Sequence, residues 1–175
     1  GTGYSGWDSA NNQATPCDSS NCLKIRVDRN GAQNINSYIK QVQSGGGTDA
    51  NTWAKIAEEY YGHKSDSPID KDSSDCQGSY VIVIGDGDWY NQSSAETKVK
   101  NLLNKKKVKT FTVAYGGGIS STGIAAFDAI AQAGGTDRVI RADTTDQLKA
   151  QLNAAIRSVI ADKLSFTAPA ITATI

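Results

Sequence analysis

The chain has 175 residues, 38% of them hydrophobic, and its 18 basic side chains balance its 18 acidic ones. This length suits one domain with its own core. The charge balance argues against the basic surface typical of nucleic-acid-binding proteins, and no apolar run approaches the ~20 residues of a membrane-spanning helix. We therefore expect neither a nucleic-acid partner nor a membrane span.

The three cysteines bear on the cellular compartment. Cys17 and Cys22 lie in the polar stretch PCDSSNC, whose spacing is not that of a metal site. A local disulfide between them is favoured over two free thiols, and it implies an oxidising, extracellular location. Cys76 is then either free or paired with a segment outside this chain. The chain begins with Gly1, contains no Met and shows no signal peptide, so we expect it to be a piece of a longer polypeptide.

The first part of the chain predicts a hairpin followed by two helices. GTGYSGW and LKIRV (residues 1–7 and 23–27) are expected as strands joined by the cysteine loop. Apolar residues at helical spacing from Ile35 to Val42 predict one helix, and the same pattern predicts a second from about Asp49 to Gly62. A polar loop follows over residues 63–78.

Strands and helices alternate from Tyr80 onward. The strand Tyr80–Ile84 is apolar at every position, which is typical of a strand covered on both faces. Helix starts are expected at a Ser93/Glu96 capping box, at Ser120 or Ser121, and at Thr144 with Gln147. The intervening strands are VKTFTVAYG and DRVIRA (residues 108–116 and 137–142).

This order predicts an α/β fold with a doubly wound, mainly parallel sheet and the early hairpin as its antiparallel edge. The expected domain covers residues 1–161. Residues 162–175 form an extended exit segment, in which Pro169 disfavours helix.

An acidic, glycine-flanked loop follows the apolar strand. The stretch VIVIGDGDWYN (residues 81–91) places Asp86 and Asp88 directly after it. Ligands of open α/β sheets bind beyond the carboxyl ends of the strands, so both carboxylates are candidate ligand residues. Thr48, in the stretch SGGGT, is expected beside them if its helix packs next to the same strand.

Three chemistries compete with a simple turn at this loop. Glycines before a helix favour phosphate, but neither Gly-Lys-Ser/Thr nor GxGxxG with a ribose-binding acid occurs. Hydrolysis is disfavoured because His63 is the only histidine and no Gly-x-Ser-x-Gly elbow exists, so we expect no enzyme. Carboxylates and hydroxyls suit Mg²⁺ or Ca²⁺, although the EF-hand pattern fails. Asp and Gly are also ordinary turn residues, so the turn and the cation site both remain open.

Taken in order, the elements resemble a von Willebrand factor A (VWA) domain. The shared features are an edge hairpin, a helix, GGT opening another helix, an apolar strand ending in Asp-Gly, and two further strand–helix units. The chain is most similar to the VWA region of type IV pilus tip-associated adhesins, the PilY family. That closer similarity rests on CQGSYVIVIGDGD (residues 76–88) and SFTAPAIT (residues 165–172).

The resemblance implies a metal-ion-dependent adhesion site for Mg²⁺ or Ca²⁺. Thr48 falls on the family's threonine ligand and Asp86 on its aspartate ligand. Asp49 and Asp88 are candidates for holding metal-bound waters. Gly85 stands where the family usually has Thr or Ser, which removes one hydroxyl from the loop.

A second departure concerns the first central strand of the family's fold. Its D-x-S-x-S motif is absent from this sequence, so the resemblance implies a gap in the sheet beside the Asp86 strand. An upstream segment supplies the strand, or the domain is degenerate and lacks a metal, or AITATI (residues 170–175) fills the gap.

The resemblance also implies a function. It predicts an extracellular, pilus-associated adhesion or assembly module whose partners are a protein or host-surface ligand and other pilus components. A metal-free structural pilus subunit and an intracellular VWA protein that partners an ATPase or chelatase are the alternatives. Trp89 and Tyr90 either contact a partner or anchor the loop. NKKKVK (residues 104–109) is interpreted as a solvated helix end, with contact to nucleic acid or an anionic surface as the alternative.

Overall fold

The computed structural model describes residues 4–15, 22–42, 49–72 and 77–164 of the protein. Within these residues the chain alternates between short strands and helices. The strands are β1 Gly6–Asp8, β2 Gln13–Thr15, β3 Tyr80–Gly85, β4 Lys109–Tyr115 and β5 Ile140–Ala142. The helices are α1 Gly31–Ile39, α2 Ala50–Gly62, α3 Gln92–Lys106, α4 Ser121–Ala133 and α5 Thr145–Leu164.

The main sheet is parallel and has the order β3-β4-β5. Its register pairs Tyr80 with Lys109 and Gly85 with Ala114, and β5 continues the sheet through the pairing of Val113 with Ile140. Helices connect successive strands, as parallel pairing requires. The mixed α/β class and the parallel sheet predicted from residue 80 onward are confirmed.

The core lies on the face of the sheet that carries α3 and α4. Val99 and Phe127 are both fully buried there, and Val83 of β3 packs against the same cluster. Thr112 is also fully buried, and its hydroxyl donates to the carbonyl oxygen of Phe127 at 2.9 Å. That bond satisfies the hydroxyl, which would otherwise be costly to bury.

One face of β3 and its edge away from β4 are both left open by the described residues. Ile82 and Ile84 are 41% and 51% exposed, and no described strand pairs with β3 on the side away from β4. A strand that is apolar throughout is typical of a parallel sheet covered on both faces. The predicted two-sided cover of residues 80–84 is therefore wrong for the described part of the chain.

The early hairpin differs from the prediction in position and in pairing. β1 and β2 pair antiparallel through a short turn, and residues 23–27 form no strand. The turn is set locally, because the carboxylate of Asp8 accepts the backbone N–H of Ala10 at 3.0 Å and Asn12 adopts a φ of 51°. The hairpin is a separate two-stranded sheet, so the predicted antiparallel edge of the main sheet is not formed within the described residues.

The helix starts were partly predicted from sequence. The predicted caps of α4 and α5 are confirmed, since Ser120 Oγ accepts the N–H of Gly123 at 3.0 Å and Thr144 Oγ1 accepts that of Gln147 at 3.2 Å. The Ser93/Glu96 box is wrong: α3 begins at Gln92, after Asn91 in a left-handed conformation. Helix α5 continues to Leu164, beyond the expected boundary at residue 161.

None of the helices in the described ranges combines the length and apolar character needed to cross a lipid bilayer.

Candidate cation site at the carboxyl end of the sheet

The loop between β3 and α3 (residues 86–91, the β3–α3 loop) lies where three helices begin. Helix α3 starts directly after it. The backbone N–H of Ala50, the first residue of α2, donates to the carbonyl oxygen of Tyr90 at 3.0 Å. Asp88 of the loop accepts hydrogen bonds from Ser120, the residue that precedes α4. The fold thus gathers the predicted acidic loop and three helix N-termini at the carboxyl edge of the sheet.

Asp86 is the free carboxylate of this loop. It is exposed, and its side chain makes no hydrogen bond or ion pair with any described residue. The loop between β4 and α4 passes close to it: a Cβ built on Gly118 would lie 3.5 Å from the backbone oxygen of Asp86. Asp86 is therefore available to a ligand that approaches from solvent.

Asp88 is hydrogen-bonded to Ser120, which precedes α4. Its carboxylate accepts the backbone N–H of Ser120 at 3.0 Å and the Ser120 hydroxyl at 2.7 Å. The carboxylate of Asp88 can approach α4 this closely only because residue 123 is glycine, since a Cβ there would lie 2.0 Å from Asp88 Oδ1. A carboxylate suits a helix N-terminus, because the unpaired N–H groups there carry partial positive charge.

Asp49 occupies the corresponding place at the start of α2. As the N-cap it accepts the backbone N–H of Asn51 at 3.0 Å and the hydroxyl of Thr52 at 2.9 Å. The side-chain amide of Asn91, from the β3–α3 loop, donates to the same carboxylate at 3.1 Å. Asp49 therefore joins α2 to the loop and caps the helix at the same time.

The predicted ligand Thr48 lies outside the described residues, so its distance from Asp86 stays a prediction. The described residues contain no group of three or more His, Cys, Asp or Glu side chains placed to hold a metal. Asp86 alone supplies one free carboxylate, whereas Mg²⁺ and Ca²⁺ take about six or more oxygen ligands. The described part of the chain thus provides one ligand, not a complete coordination shell.

The two aromatic residues of the loop have different environments. Trp89 is 8% exposed and stacks on Phe127 with ring centroids 3.6 Å apart, while Trp53 meets it edge-on at 5.9 Å. Tyr90 is 54% exposed. Trp89 is therefore a packed anchor of the loop, and Tyr90 is the aromatic side chain that a partner could contact.

The Trp89 ring also accounts for glycine at position 85. A Cβ on Gly85 would lie 2.8 Å from Trp89 Nε1 and 3.0 Å from Phe127 Cζ. A threonine, usual at this position in the family that the sequence resembles, would collide with both rings.

Two further features concern residues that the sequence had singled out for other reasons. Ser120 was predicted only as a helix cap, and its bond to Asp88 joins residues 32 positions apart, for which the sequence carried no signal.

Cys22 is disulfide-bonded. Cys17 and Cys76 lie outside the described residues, so the pairing with Cys17 stays a prediction.

Searches for similar proteins add no family assignment. No protein-family model matches the chain, and no curated protein matches it significantly.

Proposed function

We propose that the chain is an extracellular, non-enzymatic module of the VWA type from a pilus-associated adhesin. In this proposal Thr48 and Asp86 bind a divalent cation, and an acidic group of a partner completes its coordination. The observation that carries the proposal is the position of Asp86, which is exposed and unpaired among described residues at the carboxyl end of β3. Open α/β sheets bind ligands at such a position.

The environment of Asp49 and Asp88 supports a division of roles. Both carboxylates bond to backbone N–H groups at helix starts. Those bonds reduce their availability as direct ligands, so we assign them to holding water molecules beside the cation. Asp86 is left as the direct carboxylate ligand of the described site.

The exposed edge of β3 supports the idea that the sheet lacks a strand. No described strand pairs with β3 on the side away from β4, since the hairpin forms a separate sheet. Unpaired strand edges are normally covered or blocked. In the proposed domain, a strand with the D-x-S-x-S motif pairs with β3 and brings further oxygen ligands next to Asp86.

The disulfide of Cys22 supports an extracellular location. Disulfides persist in oxidising compartments and are rare in the cytosol. This observation favours the adhesin over an intracellular VWA protein that serves an ATPase or chelatase.

A metal-free structural pilus subunit is the second candidate. The observation that favours it is the hydrogen bonding of Asp49 and Asp88, which holds the β3–α3 loop in place without a cation. In that candidate the same surface serves for assembly contacts alone.

Two measurements test the proposal. Because one free carboxylate and Thr48 cannot fill a coordination shell, the 175-residue chain should bind Mg²⁺ and Ca²⁺ only weakly in titration calorimetry. Tight binding by this chain alone would contradict the missing-strand idea. Adhesion is then measured with the full-length polypeptide, attached to beads and applied to a host-cell layer.

The adhesion assay compares Asp86→Ala with Asp137→Ala. Asp137 is an exposed aspartate that precedes β5, at the opposite edge of the sheet. We expect EDTA and Asp86→Ala each to abolish most adhesion and Asp137→Ala to leave it unchanged. Adhesion that survives both EDTA and Asp86→Ala would rule out the cation mechanism and favour the structural subunit.

A further inference from the structure

A strongly basic pocket lies at the opposite edge of the sheet from Asp86. It has a volume of about 400 Å³ and is bordered by Ser79, just before β3, and by the end of α3. Five lysines line it: Lys64, Lys71, Lys105, Lys106 and Lys107. We refer to these residues as the lysine pocket. They come from two separate segments, the loop after α2 and the end of α3, so the sequence showed only the run at residues 105–107.

The charge of the lysine pocket is not offset by its own walls. None of the described residues that line it is Asp or Glu, although the chain as a whole carries equal numbers of basic and acidic residues. The described acidic residues of the same loop, Asp66, Asp70 and Asp72, lie outside this lining. Asp66 accepts the hydroxyl of Tyr4 at 2.7 Å, and Asp70 accepts the backbone N–H of Asp72 at 3.0 Å.

Hydrogen bonds hold the polar wall of the pocket in place. Ser67 Oγ donates to the carbonyl oxygen of Tyr61 at 2.8 Å. Gln77 Nε2 donates to the carbonyl oxygen of Pro68 at 2.9 Å, and its Oε1 accepts the N–H of Asp70 at 2.8 Å. These hydrogen bonds fix the polar wall in the absence of a ligand, and such preorganisation lowers the entropic cost of binding.

Lys107 has an unfavourable backbone conformation. It ends α3 with a φ of 58°, in the left-handed region where glycine is the usual residue. The negative end of the helix dipole accounts for lysines at 105 and 106. The helix dipole does not explain why residue 107 is lysine rather than glycine, because the left-handed backbone conformation strains a lysine and so lowers stability.

We propose that the lysine pocket binds the sulfate or phosphate groups of an anionic polysaccharide. Lysine ammonium groups act as point charges for such oxyanions, and the hydroxyl of Ser79, which makes no hydrogen bond with a described residue, offers a partner for a sugar hydroxyl. None of the described residues that line the pocket is Trp, Tyr or Phe, so they provide no stacking surface of the kind on which proteins bind single-stranded nucleic acid. This site is independent of the proposed cation site.

The test is titration calorimetry of the whole chain with four probes in EDTA. A heparin tetrasaccharide carries sulfate, a phosphomannan oligosaccharide carries phosphate, dextran is neutral, and decathymidylate represents nucleic acid. We expect binding of a charged saccharide and none of dextran. The double variant Lys71→Gln with Lys106→Gln should bind about tenfold more weakly. Its binding constant should also depend less steeply on salt, the magnitude of the slope of log K against log salt falling by about 1.5, because two ionic contacts are lost.

A matched control separates the pocket from net charge. Lys98→Gln with Lys100→Gln removes two charges from α3 outside the pocket and should leave binding nearly unchanged. Lys107→Gly should weaken binding about threefold while raising Tm by about 2–4 °C through relief of strain.

Three results would overturn the proposal. These are equal weakening by the two double variants, tighter binding of decathymidylate than of either charged saccharide, and no binding of either saccharide. Asp86→Ala should not affect saccharide binding, so failure here and failure of the cation site give different results.

Discussion

Replacement of Gly85 by alanine tests the packing of the β3–α3 loop on the sheet. The added Cβ would lie 2.8 Å from Trp89 Nε1, closer than real Cβ contacts come, and 3.0 Å from Phe127 Cζ, tighter than most of them. Both rings are buried and stacked at 3.6 Å, so neither has room to withdraw. Overpacking of this kind costs about 1–3 kcal/mol. Alanine recovers about 0.5–1 kcal/mol because glycine loses more backbone entropy on folding.

The expected net loss in the free energy of unfolding is therefore about 0–2.5 kcal/mol, with a midpoint near 1 kcal/mol. Gly87→Ala is the matched control, because a Cβ at position 87 would meet no atom within 4 Å. It should be neutral or slightly stabilising. The measurement is urea unfolding followed by circular dichroism, which does not depend on the fluorescence of Trp89.

A double-mutant cycle identifies the collision. In a Trp89→Leu background the indole is absent, and Gly85→Ala should then cost less than about 0.5 kcal/mol, which gives a coupling energy of about 1 kcal/mol. If Gly85→Ala is more stable than the parent, or if its effect on the free energy of unfolding is the same with and without Trp89, the packing argument is wrong.

Three further predictions concern caps and a buried tyrosine. Asp49→Ala should lower the free energy of unfolding by about 1 kcal/mol through loss of the α2 cap, and Asp49→Asn should recover most of it in urea unfolding. Ser120→Ala removes both the α4 cap and the hydroxyl bond to Asp88; it should cost about 1–2 kcal/mol and speed hydrogen exchange at the start of α4, and unchanged exchange would count against the cap. Burial raises the pKa of Tyr61 to about 12 from 10.0, so its contribution to stability is complete below pH 10 and is lost as pH rises toward 12. Tyr61→Phe loses the hydrogen bond to the carbonyl oxygen of Tyr80 and should be about 1 kcal/mol less stable than the parent at pH 8. In unfolding measured against pH, this difference in stability should shrink by up to about 1.4 kcal/mol per pH unit above pH 10, because the parent loses stability there.

The sequence by itself determined the α/β core from residue 80 onward. The apolar run of β3, the helical spacing in α4 and the caps at Ser120 and Thr144 depend on residues within a few positions of one another. Such local patterns are set by backbone geometry and short-range hydrogen bonds, so they can be recognised without knowledge of the fold. The place of Asp86 at the carboxyl end of β3 followed from the same pattern.

The tertiary structure alone decided which side chains meet. The bond between Asp88 and Ser120, the burial of Trp89 against Phe127 and the convergence of lysines from two segments all join residues far apart in the chain. Such contacts depend on how the elements pack, and no local spacing encodes them. For the same reason residues 23–27, which have the composition of a strand, form none: the carbonyl oxygen of Leu23 accepts the backbone N–H of Ala14 in β2 at 2.9 Å, but no ladder continues along residues 24–27.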